Sequence, residues 1–317
     1  MQYVNRGDKP TKSGFGDGMV FAGEKYPNVV ALGADITASV GLDQFARTFP
    51  ERFFSLGIAE QNCVGVAAGM ALSGKIPVFS TYGVFAALRA ADQIRISCCY
   101  NNVHVIIGGA HAGISVGPDG ATHQALEDIA MMRVLPNMTV LSPCDYTQTS
   151  KALLAAVEQV KGPVYLRFGR EAMPDFSSPD DAFLVGKGQL MEAGDDLSIV
   201  ATGHMVWEAL LAAEMLRKNH IRARVINIHT IKPIDRDILV TAARETGVVV
   251  TAEEHQIAGG LGSAVAEVLA ETVPVPMEFV GMHDRFGESG KAGELMDKYG
   301  LRAVDIVKAA EKALKRK

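Results

Sequence analysis

The chain of 317 residues is 48% hydrophobic and 21% charged, with 31 Lys plus Arg against 36 Asp plus Glu and a formal net charge of −5. This is the balance of a globular chain with a full core, long enough for two ordinary domains and too apolar to stay disordered. It lacks the basic face of a nucleic-acid binder and any apolar run of the roughly 18 residues that a membrane span needs. The first residues do not form the apolar core of a signal peptide. Cys63, Cys98, Cys99 and Cys144 make neither a disulfide framework nor a CxxC pair, which suits a cytoplasmic, reducing location.

In chain order, apolar runs of strand length fall at 29–32, 53–56, 103–107, 139–141 and 164–168, then at 197–201, 224–228, 248–250 and 278–280. Helical patterns stand between and after them at 60–73, 86–99, 123–134, 145–160, 205–219, 235–246, 260–272 and 303–316. The strands are continuously apolar rather than alternating, which predicts parallel sheets covered on both faces. The fold class is therefore α/β, with two domains, each a mostly parallel sheet covered by helices. A Pro/Ser/Asp cluster without period, 173–187, reads as a linker between domains at 1–172 and 188–317. Gly16-Asp17-Gly18 reads as part of an N-terminal loop or a helix start.

Ligands of open α/β sheets bind beyond the carboxyl ends of the strands, and the polar residues of the first half collect there. They are Asp35, Thr37 and Ser39; then Glu60; then His111, Asp119 and His123; then Arg167 and Arg170. Glu60 opens an apolar helix in which Gly65 and Gly69 stand one turn apart. Glycine in a helix interior costs about 1 kcal/mol relative to alanine, so the pair implies a backbone packed closely against this helix. A carboxyl group at the start of such a helix is expected to be desolvated, with a raised pKa, and so a candidate for proton relay. The Gly-rich run 111–124 offers two histidines and an aspartate to a polyol. Its spacing is no metal-ligand signature, so no metal site is assigned in this chain. Gly259-Gly260-Leu261-Gly262-Ser263 opens a helix and reads as a tight structural turn before it reads as an anion site.

The stretches RFFSLGIAEQN (52–62), STYGVFAALRAADQIR (80–95), HAGISVGPDGATHQALEDIA (111–130) and HDRFGESGK (283–291) together resemble transketolase, in order and over nearly the whole chain. The likeness is to the C-terminal half of that enzyme, its pyrimidine-binding domain and C-terminal domain. The resemblance implies thiamine diphosphate as cofactor, with Glu60 on N1′ of the aminopyrimidine and Tyr82 and Phe85 as the aromatic wall. It assigns the sugar hydroxyls and carbonyl to His111, Asp119 and His123, with the histidines also catalytic. It assigns the substrate phosphate to Arg170 and Ser39, and a substrate contact to Asp35. Lys12 stands where the family usually has arginine, and Ala91 where relatives commonly carry an aromatic residue. The family's metal motif pairs GDG with a later Asn, and no Asn lies between Asn28 and Asn62.

The implied protein is the C-terminal subunit of a split transketolase, moving a two-carbon ketol unit from a ketose phosphate to an aldose phosphate. An N-terminal partner subunit would share the thiamine diphosphate and bind its Mg²⁺ or Ca²⁺, in an assembly of two copies of each. The alternatives are a split transketolase for a sulfonated or branched sugar, a β-subunit of a 2-oxoacid dehydrogenase, and a non-catalytic regulatory subunit. The sugar loop 117–124 argues against the second, and joint retention of Glu60, Asp119 and His123 against the third.

Overall fold

A computed structural model describes residues 3–317; Met1 and Gln2, which open the expected first domain, lie outside the described residues. Two sheets organise the chain. The first has seven strands, in the order Thr230–Lys232, Thr139–Leu141, Val164–Arg167, Ile106–Ala110, Ile76–Tyr82, Val29–Gly33 and Phe53–Ser55. The second has five, in the order Met277–Met282, Val249–Gln256, Leu197–Ala201, Ala223–Asn227 and Gln189–Glu192. Pairing is parallel except at one edge of each sheet, where Thr230–Lys232 and Gln189–Glu192 run antiparallel to their neighbours. The chain is thus α/β with two mostly parallel sheets covered by helices, as the continuous apolar runs predict. Thr230–Lys232, from the second half, completes the first sheet. Asp8–Pro10 pairs with Ala172–Pro174 in a small antiparallel ribbon.

Several elements differ from the sequence reading. The central strand Ile76–Tyr82 has no expected counterpart, because Ser80 and Thr81 break its apolar run. Both are fully buried, and the Ser80 hydroxyl donates to Gly108 O at 3.3 Å. Strand Ile106–Ala110 begins later than the apolar run and continues through Gly108 and Gly109, where a Cβ at Gly109 would overlap the Tyr165 ring. The helix expected at 86–99 is two π-helical turns, Phe85–Arg89 and Ile94–Tyr100, joined by Ala91–Gln93.

Gly16-Asp17-Gly18 is neither loop nor helix start: it lies inside the helix Thr11–Lys25. A Cβ on Gly16 would come 2.7 Å from Gly41 O, and one on Gly18 2.9 Å from Ser150 O. Glycine at 18 lets the helix lie against the backbone of Tyr146–Gln159, and glycine at 16 lets the chain at Gly41 close on it. The cost of glycine in helix propensity hides the element from sequence periodicity.

Candidate functional site

The carboxyl ends of the parallel strands in the first sheet deliver the expected residues to one place. Val29–Gly33 runs into the turn bearing Asp35 and Ser39, Phe53–Ser55 leads to Glu60, and Tyr82 ends Ile76–Tyr82. Ile106–Ala110 leads to His111, and Val164–Arg167 to Arg170. Asp35 and His111 follow their strands with φ of +64° and +54°, a left-handed conformation uncommon outside glycine and often met at ligand sites.

Most of these side chains form a continuous row. The Tyr82 ring lies 4.2 Å from His111, 5.5 Å from His123 and 5.8 Å from Phe85, and Phe85 lies 5.5 Å from His123. Ser39 Oγ is 2.9 Å from the Tyr82 hydroxyl and 3.5 Å from His111 Nε2. At the rim, Arg170 Nη1 donates to Asp119 Oδ1 at 2.7 Å. Thr11 Oγ1 accepts from the Gly169 amide at 2.7 Å, which fixes the helix start carrying Lys12 beside the strand end carrying Arg170. Asp35 is exposed and stands apart: among the described residues no hydrogen bond or ion pair joins its side chain to the row.

Burial pushes the His111 imidazole down to about 4, and the charges of Lys12 and Arg170 push the same way. The ring is therefore neutral at pH 7. Its Nδ1 is buried without a partner, an unusual expense for a polar atom and a sign that something else is meant to meet it.

Glu60 is the first residue of the helix Glu60–Leu72 and is 3% exposed. Its charge suits the positive helix N-terminus. It is not the solitary desolvated carboxyl that the sequence suggests. Arg89 Nη1 donates to both of its oxygens, at 2.9 and 3.0 Å, while the same guanidinium lies 4.1 Å above the Phe85 ring. Sequence reasoning missed Arg89; its signal is the Phe85–Arg89 spacing of four in a helical pattern, which brings a cation over a ring. Gly65 and Gly69, expected beneath another backbone, meet nothing within 4 Å among the described residues. They lie on the exposed face of the helix with Gln61 and Leu72.

Arg167 turns away from the row and is buried. Its Nε donates to Asp128 Oδ2 at 2.9 Å, and Tyr165 OH donates to the same oxygen at 2.8 Å. Among the described residues no group of three or more His, Cys, Asp or Glu side chains could hold a metal ion, and this includes His111, Asp119 and His123.

Two family models match the chain. Residues 8–175 match the family model for the transketolase pyrimidine binding domain, and residues 186–306 that for the transketolase C-terminal domain. A chain of Methanocaldococcus jannaschii bearing the name transketolase C-terminal section is 44% identical, over 97% of this chain and 97% of that one. A 6-deoxy-6-sulfo-D-fructose transketolase subunit of a Clostridium species is 43% identical, over 93% and 91%. A solved structure described as a split gene transketolase, inactive beta4 tetramer, superposes with a TM-score of 0.91 at 50% identity, over 97% of this chain and 99% of that one.

Proposed function

Since the chain belongs to the transketolase family, as its C-terminal section, we propose that it works as one subunit of a split transketolase. It would move a two-carbon ketol unit between sugar phosphates together with an N-terminal partner subunit. The observation that carries this reading is the continuous row from Phe85 through Tyr82 and His123 to His111, with Glu60 joined to its Phe85 end through Arg89. There a buried carboxylate stands at one end and a neutral imidazole at the other.

The aminopyrimidine end of thiamine diphosphate fits what these residues offer: a buried carboxylate, an aromatic wall and an unpartnered buried nitrogen. When bound, the cofactor supplies the electron sink that carbon–carbon cleavage of a ketose requires. Glu60 would hold and move a proton at N1′, with Phe85 and Tyr82 packing on the ring. Neutral His111 and, beside it, His123 stand where a proton could be exchanged with the sugar carbonyl and hydroxyls. Asp119 accepts from a hydroxyl. Arg170, Lys12 and Ser39 sit at the far rim, where a substrate phosphate would be held. The diphosphate and its Mg²⁺ or Ca²⁺ fall to the partner.

The exposed face bearing Gly65 and Gly69 suits a close subunit contact, and we place it at the centre of an assembly with two copies of each subunit. A second reading, a sulfonated ketose in place of the phosphorylated one, is favoured by the relative that acts on 6-deoxy-6-sulfo-D-fructose and by Lys12 in the anion-holding group. The test is reconstitution. The purified chain with thiamine diphosphate and Mg²⁺ should transfer no ketol unit and should gain activity when a matching N-terminal subunit is added. Robust turnover by the partner-free chain would overturn the proposal.

A further inference from the structure

The loop 111–124, which carries His111, Asp119 and His123, is held partly by its own turns: Gln124 Nε2 donates to Ile114 O at 3.2 Å and to Gly117 O at 3.4 Å. Its first half is a short 3-10 turn, Ile114–Asp119, entered through Gly113 and kinked at Gly117, with φ of +87° and +78° at the two glycines. A second hold comes from the second sheet. The Glu254 carboxylate, at the end of strand Val249–Gln256, reaches across and accepts the Ser115 amide through Oε1 at 2.6 Å. Ser115 and Glu254 are both buried, at 2% and 5% exposure. Gly113 lies so close over the Glu254 carboxyl group that a Cβ there would collide with it. Glycine at 113 therefore serves this approach as well as the positive φ.

The far end of the loop is tied to the same residue. Arg167 Nη2 donates to Ala125 O at 3.0 Å and to Glu254 O at 2.9 Å. Between these ties, Gln124 Nε2 donates to Glu288 O at 2.9 Å, so the segment before the helix Ala292–Lys298 also grips the loop. Among the described residues no Arg or Lys forms an ion pair with the Glu254 carboxylate; His204 Nδ1 lies 3.8 Å from Oε2, and the buried Arg167 guanidinium acts on it electrostatically from farther off. A buried carboxylate is costly for a fold to keep, and the one hydrogen bond it makes to this loop is to the Ser115 amide.

We infer that Glu254 is a positioning residue for the sugar-binding loop, so that the second sheet sets the geometry of His111, Asp119 and His123 without touching substrate. This rests on the functional reading above, and it gives the C-terminal half of the chain a share in the chemistry. Reacting groups displaced by as little as 1 Å can cost about a hundredfold in rate, so an anchor beneath the loop is expected to matter.

Two measurements test it. The first is hydrogen–deuterium exchange of the chain by itself. In Glu254→Ala, peptides covering 112–120 should exchange about tenfold faster or more, while the helix Glu60–Leu72 stays protected. In Glu254→Gln, whose amide oxygen still accepts the Ser115 N–H, protection should return. If Glu254→Ala does not fold, Glu254→Met fills the space without an acceptor and takes its place. The second uses the enzyme reconstituted with its partner, thiamine diphosphate and Mg²⁺. There Glu254→Ala should lower kcat/KM for a ketose phosphate by about tenfold or more, Glu254→Gln should restore most of it, and C2–H exchange of the bound cofactor should stay at the wild-type rate. Unchanged loop exchange, a loosened loop with unchanged kcat/KM, or a parallel fall in cofactor exchange would each overturn the inference. Failure of the functional reading looks different. The wild-type assembly would transfer no ketol unit, and loop exchange alone would then decide whether Glu254 is the anchor.

Discussion

Arg170 and Asp119 face each other at 2.7 Å at the rim of the site, each about one-third exposed, at 33% and 30%. An ion pair so open to water contributes little to stability, in the range of about 0–1 kcal/mol. Its members are therefore free to change partners. A guanidinium that releases a carboxylate for a phosphate exchanges one bidentate-capable anion for another of higher charge. Removing such a contact typically costs about 1.5–3 kcal/mol, or roughly tenfold to a hundredfold in affinity. Arg170→Ala in the reconstituted enzyme should raise KM for a phosphorylated donor by that factor. It should leave a short unphosphorylated donor such as hydroxypyruvate nearly unaffected. Steady-state kinetics with the two donors decides the matter, and equal losses on both would assign Arg170 a structural role.

At the scale of elements, glycine does two opposite jobs in two helices. In Thr11–Lys25, a Cβ on Gly14 would run into the Tyr146 carbonyl group, so the residue serves packing within the chain. In Glu60–Leu72, Gly65 and Gly69 have open space around them. Gly14→Ala is expected to destabilise the chain by about 1–3 kcal/mol through forced separation of two helix backbones. Gly65→Ala and Gly69→Ala should instead each stabilise the isolated chain by up to about 1 kcal/mol, since alanine is the better helix former. If that face meets another subunit backbone to backbone, the same two changes should weaken assembly. Urea unfolding of the isolated chain and light scattering of the reconstituted enzyme read the two effects separately. An unweakened assembly would move the subunit contact off this face.

Across the whole molecule, buried titratable groups pull stability in two directions. Burial lowers His111, His229 and His255 to about 4 from 6.5. The His255 ring is neutral by its bonding too, with Nδ1 2.7 Å from Gln256 O and Nε2 accepting the Ala130 amide at 3.4 Å. Burial raises Glu253 to about 8 from 4.5, although its oxygens accept the amides of Leu261 and Gly262 at 2.7 Å. For the histidines, the unfolded chain binds more protons between pH 4 and 6.5, so their contribution is complete above 6.5 and is lost as pH falls toward 4. For Glu253 the folded chain binds more protons between 4.5 and 8, so its contribution declines as pH rises through that window. Burial also lowers His104 and raises Glu127, so the histidines outnumber the carboxyls, and stability rises up to about pH 6.5 and then declines toward 8. Urea midpoints measured from pH 5 to 9 should show that maximum, and Glu253→Gln should flatten the alkaline limb. A midpoint climbing steadily above pH 7 would contradict the Glu253 part.

What the sequence determined by itself follows from local chemistry. Continuously apolar runs of strand length such as 29–32 read as strands buried on both faces, and from them come the α/β class and parallel pairing. Polar residues just past those runs, with turn glycines among them, mark the carboxyl-end face. So Glu60, His111, Asp119, His123 and Arg170 could be named before any of them was placed, whereas Tyr82 and Phe85 came only through the resemblance to transketolase. What tertiary structure decided was every feature whose cause lies far along the chain. The helix Thr11–Lys25 is made against its glycines by the backbone of Tyr146–Gln159, and the central strand Ile76–Tyr82 holds its Ser80 hydroxyl on Gly108 O of Ile106–Ala110. Arg89 reaches Glu60 across 29 residues, and Glu254 reaches Ser115 across 139. Such contacts leave no period in a sequence, because burial and hydrogen bonding act through space, whereas a pattern along the chain records only which face each residue turns.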